Sequence, residues 1–167
     1  MKLILDRMRL ILPTINKYPQ SLKRLIRGAL ENYAELYFVP MSFDGYFVPA
    51  HLSPTGNPQI YINSRLSEDA QRIALAHELT HLACHARTDR ILFNCPQSHD
   101  FTDIASKLAL NEVDQQEFEA QSIGVLALFP APSLQRTAQL DLFDSTEPEK
   151  RVIEAWMLRL ELREYKL

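Results

Sequence analysis

Residues 77–81 read His-Glu-Leu-Thr-His, and this pentapeptide limits what its surroundings can become. On a helix, residues four apart share a face, so His77 and His81 point two imidazoles to one side with the Glu78 carboxylate beside them. Two zinc ligands and a candidate general base in that arrangement suit attack by an activated water. On a strand or in a loop the spacing carries no such meaning.

The flanking residues predict the helix. Ser67 is placed to cap it, and Glu68 and Asp69 follow in the first turn, where carboxylates suit the positive end of the helix dipole. No Gly or Pro then occurs before Pro96. At about 100° per residue from His77, His81 falls at about 40°, His85 at about 80° and Glu78 at about 100°. Leu75, Leu79 and Leu82 lie on another side, and Ala70 and Ala74 leave room on the histidine arc for a neighbouring segment.

The rest of the chain reads as helix-rich with a small sheet. Residues 20–35 have helical spacing, with Leu22, Leu25, Ile26 and Leu30 on their apolar positions. Residues 36–41 and 45–50 are aromatic and β-branched around an Asp44-Gly45 turn, and Pro40 and Pro49 keep such strands short or at an edge. Residues 59–63 form the clearest strand and lead into the histidine helix. Residues 87–112 are mixed, with a short helix expected at about 101–109. Residues 113–128 are helical, and a last amphipathic helix spans roughly 147–164.

With 167 residues, 46% hydrophobic and 23% charged, the chain fits one globular domain. Lys2, Asp6, Arg7 and Arg9 interrupt the apolar N-terminus, which excludes a signal peptide or membrane span there. Two cysteines, Cys84 and Cys95, make no disulfide framework, and a cytoplasmic setting is expected. Residues 1–30 carry seven basic side chains against Asp6 alone, although the whole chain has net charge −3. This basic helical face reads as solvated rather than as a DNA-binding module.

A catalytic zinc needs a third protein ligand. The HExxHxxGxxH solution is absent, because Cys84 and Arg87 stand where its Gly and last His belong. His85 suits a packing role or support of a ligand, since one straight helix cannot aim three turns at one ion. His99, Glu117 and Glu119 remain as candidates. Glu117 shares its helix face with Gln121, Gly124 and the flanking Ala120, where another helix could pack closely; periodicity leans weakly towards it.

Two stretches together resemble the ImmA/IrrE family of zinc metallopeptidases: HELTHLACH at 77–85 and EFEAQSIGVLALFP at 117–130. The resemblance covers roughly residues 35–132. It implies an α+β, zincin-like domain with about three strands packed on the HExxH helix. In that frame residues 1–35 are a basic helical lead-in, 36–132 the catalytic core and 147–164 a C-terminal helix. The resemblance implies His77, His81 and Glu117 as zinc ligands and Glu78 as general base, with Gln121 and His85 in supporting positions. Gln121 departs from the family's Asn or Asp, Thr80 replaces a usual Gly, and the 36-residue step from His81 to Glu117 is long.

The implied substrate is a helix-turn-helix repressor of a phage, mobile element or stress response, with neither membrane nor direct nucleic-acid binding. Peptidases of this type hold substrate as an added strand, for which 45–50 and 59–63 both stand open. The contrasting reading is a non-proteolytic anti-repressor or partner-binding protein on the same fold, which has no need of Glu78.

Overall fold

The computed structural model describes residues 2–15, 17–87, 92–94, 116–117, 120 and 123–124. Helix α1 (Lys2–Ile11) and helix α2 (Leu22–Glu31) precede strands β1 (Glu35–Val39) and β2 (Gly45–Val48). A 3-10 turn (Ala50–Leu52) leads to β3 (Gln59–Asn63), then α3 (Glu68–Cys84) and β4 (Leu92–Asn94). The fold is α+β, as the motifs imply. The helices expected at 101–109 and 147–164, with His99, Glu119 and Gln121, lie outside the described residues, as do most of 113–128 and 87–112.

Local chemistry explains where the elements stop. β1 ends at Val39, before Pro40, and β2 at Val48, before Pro49, because proline cannot donate to a ladder. The helix expected at 20–35 is shorter. Ser21 Oγ accepts from Arg24 N at 3.3 Å at its start, and Asn32 caps its end. Tyr33 then takes φ 60°, a left-handed turn that lets Ala34 N donate to Ala29 O at 3.1 Å. This position favours glycine, and the Tyr33 side chain is 83% exposed. Tyr33→Gly is expected to stabilise the fold by about 0.5–1 kcal/mol, the left-handed strain relieved less the entropy glycine adds to the unfolded chain. The urea midpoint measures it, and an unchanged or lower midpoint would contradict the argument.

The strands are ordered β1-β3-β2-β4. β1 runs parallel to β3, and β2 is antiparallel to both β3 and β4. The fourth strand arises where the sequence read as mixed, and it makes β2 internal. Neither 45–50 nor 59–63 therefore offers a free edge, which corrects both placements of an added substrate strand. Among the described residues the edges are β1 and β4.

Alternation along the strands sends Phe47, Ile60 and Ile62, all fully buried, towards α3, where Leu75 and Leu79 join the same core. α1 and α2 cover another side of α3 with Met8, Leu12, Leu25 and Ala29. Burying the Phe, Leu, Ile and Met side chains among them stabilises the layers by about 1.5–3 kcal/mol each. No helix among the described residues is long and apolar enough to cross a membrane.

Candidate metal centre

Helix α3 begins as the sequence dictates, with Ser67 Oγ accepting from Ala70 N at 3.3 Å and Glu68 and Asp69 in the first turn. Every residue from Ala74 to His81 is buried. The helix is enclosed by the sheet, α1 and α2, and its middle turns carry two histidines and a glutamate. Ionisable groups in such a place require partners or a bound ion.

The imidazoles meet each other and a third group. His77 Nε2 lies 3.0 Å from His81 Nε2. Glu117 reaches in from a segment of helical backbone, its Oε2 3.2 Å from His77 Nε2 and its Oε1 3.5 Å from His81 Nε2. Zinc–ligand bonds of about 2.0–2.2 Å in a tetrahedron place donor atoms about 3.3–3.6 Å apart. The triangle of His77, His81 and Glu117 is close to that size, so these residues fit a zinc ion. Among the described residues, His77, Glu78 and His81 also offer ligand-type atoms all within 4.8 Å of one another. Among the described residues, only the Glu117 carboxylate faces both Nε2 atoms from a separate segment.

Glu117 gets this close because small residues share its face. A Cβ on Gly124 would stand 3.0 Å from Ile73 O and 3.7 Å from His77 Cβ, so glycine lets this segment press against α3. Ala120 is fully buried beside it.

His85 does not continue the histidine arc as a straight helix would have it. It is the C-cap of α3, with φ −121° and ψ 17°, and its N–H donates to His81 O at 2.8 Å. Leaving the helix brings its Nδ1 to 2.9 Å from His81 Nδ1. One nitrogen of that pair donates and the other accepts. With His81 donating, its lone pair is left on Nε2, facing His77 and Glu117. Burial, then the neighbouring His77 and His85, push the His81 pKa well below its usual value, so this imidazole stays neutral, as a ligand must.

Glu78 is fully buried, and neither oxygen has a hydrogen-bond partner among the described residues. Burial first, then the Glu117 and Asp44 carboxylates, raise its pKa well above the usual range. Thr80, where the family's pattern has Gly, satisfies its hydroxyl locally by donating to Ala76 O at 2.9 Å.

Sequence reasoning missed the support that β2 gives this site. A Cβ at Gly45 would fall 3.2 Å from Glu78 Oε1 and 2.9 Å from Tyr61 O. Gly45 was legible as half of an Asp-Gly turn and as part of the strand order that fits the family, but not as a neighbour of Glu78. The chain's glycine count of four was a usable signal, since two of them, Gly45 and Gly124, make close approaches here. Gly45→Ala is expected to cost about 1–3 kcal/mol through overpacking. It should also lower zinc affinity less than turnover, because the intrusion meets Glu78 and not the imidazoles; equal losses would contradict this.

The family model for the IrrE N-terminal-like domain (Peptidase_M78) matches residues 33–139, more than half of the chain. The chain belongs to this family. The match begins beside β1 and includes α3 and Glu117, so it spans both halves of the site and supports a metallopeptidase-like function. No curated protein and no solved structure matches the chain significantly.

Proposed function

We propose that the chain is a zinc-dependent endopeptidase that cleaves a helix-turn-helix repressor and works in the cytoplasm. The observation that carries the catalytic part is the triangle of His77, His81 and Glu117 with the buried Glu78 carboxyl alongside. His77 Nε2, His81 Nε2 and one Glu117 oxygen would hold the ion, and His85 fixes the tautomer of His81. A bound zinc supplies a Lewis acid and a water of lowered pKa.

Glu78 takes the proton from the attacking water as the new C–O bond forms at the peptide carbonyl carbon. It then hands that proton to the departing amine nitrogen as the C–N bond breaks. In the metal-free chain burial, then the Glu117 and Asp44 carboxylates, raise its pKa, which makes the carboxylate a stronger proton acceptor. Substrate is read as an extended strand along β4, the edge beside β2 and hence beside Gly45 and Glu78, since Asn94 pairs with Gly45.

Co-expression with a helix-turn-helix repressor encoded nearby tests the reading. Loss of intact repressor, prevented by Glu78→Gln, supports proteolysis. A repressor that stays whole while bound would instead make the chain an anti-repressor.

A further inference from the structure

The face of the sheet turned away from α3 carries a row of aromatic rings that the metal centre does not use. Tyr37, Tyr61 and Tyr46 occupy one rung across β1, β3 and β2. Their rings stack with centroids 4.8 and 4.4 Å apart and interplanar angles of 19° and 6°. Tyr61 is stacked on both faces, whereas among the described residues Tyr37, on strand β1, is stacked on one face only, and it is 38% exposed. Next to it on the same strand face stands Glu35. Its Oε2 accepts from Gln59 Nε2 at 2.8 Å and from Tyr37 Oη at 3.0 Å, and its Oε1 accepts from Asn57 Nδ2 at 3.2 Å.

We propose that β1 is a docking edge for an extended, arginine-bearing segment of a partner protein, one guanidinium lying on the open face of Tyr37 and paired with Glu35. Three observations converge on a cationic strand. Among the described residues β1 is an edge, and its exposed Tyr37, Phe38 and Val39 lack the charges that usually guard one. A tyrosine face attracts a cation, and Arg stacks on it best. Glu35 supplies the opposite charge in a fixed place: Gln59, Asn57, Thr55 and Tyr37 hold its pKa down to about 2, so it is ionised throughout the physiological range. No cationic side chain among the described residues bonds to Glu35. Asn57 belongs to an exposed loop, so its long contact yields readily to a guanidinium. Proteins that bind DNA are rich in arginine, so a repressor presents this chemistry. The surface itself does not depend on peptide-bond cleavage.

The test is a titration of the isotopically labelled full chain with a six-residue peptide alternating arginine and threonine, followed by amide chemical shifts. Shifts are expected along residues 35–39, with binding about fivefold weaker or worse for Glu35→Gln and, separately, for Tyr37→Leu, and lost when glutamate replaces arginine in the peptide. Tyr37→Leu keeps the strand apolar, so its effect reports the ring rather than the fold. Binding that is indifferent to both substitutions would overturn the proposal. So would shifts centred on Glu78 and Glu117, or a peptide-independent dimer with β1 at its interface.

Discussion

Zinc affinity is expected to fall by about a hundredfold or more in each of His77→Ala, His81→Ala and Glu117→Ala. Structural zinc sites with four protein ligands bind with about 10–16 kcal/mol at neutral pH, or roughly 2.5–4 kcal/mol per ligand. Losing one of three mutually facing donors forfeits a share of that size. His85→Ala is expected to cost less, about 10- to 100-fold, because it withdraws only the partner that orients His81. Competition against a chromophoric chelator gives all four affinities on one scale. Full retention by Glu117→Ala would remove the third ligand from the triangle. Equal losses for His85 and His81 would make His85 a ligand in its own right, which its Nδ1 contact on the far side of the His81 ring argues against.

That ordering rests on two helices meeting, and only part of it was legible in the sequence. The HExxH half came from periodicity, because a local rule governs it: four residues bring two side chains to one face wherever the helix forms. The cap at Ser67 was equally local. Glu117 was harder, since its place beside His77 depends on how closely two segments approach. Its small neighbours Ala120 and Gly124 hinted at close packing without saying against what. For His85 a supporting or packing role was legible, but its geometry was not. A wheel drawn through residue 85 assumes that the helix continues, whereas the chain leaves α3 there and turns the ring back to His81 Nδ1. The short β4 escaped notice for a similar reason. Three residues carry too little alternation to announce a strand, and their pairing with β2 comes from the partner's register. That one short strand makes β2 internal and leaves β4 as an edge among the described residues, which moves the inferred path of substrate there from either 45–50 or 59–63.

Glu78→Gln is expected to lower turnover of the proposed peptide substrate by about 10²–10⁴-fold while leaving zinc affinity within a few fold of the original. Glutamine keeps the size of the side chain in its pocket against Gly45 but cannot accept a proton. The same substitution has a second, opposite effect on the metal-free chain. A carboxyl whose folded pKa is raised binds its proton more tightly when folded, so the fold loses stability as pH climbs above the ordinary carboxylate value towards the raised one. Glutamine carries no such penalty. Metal-free Glu78→Gln should therefore match the parent chain near pH 4 and exceed it in denaturant midpoint at pH 7 to 8. An activity lost together with lowered stability at neutral pH would point to a damaged fold. An activity lost while the metal-free fold grows more stable is what a proton carrier held in an unfavourable place predicts: buried near Glu117 and Asp44, with no hydrogen-bond partner among the described residues, Glu78 is expected to cost the metal-free fold stability that its proposed role in the chemistry would justify.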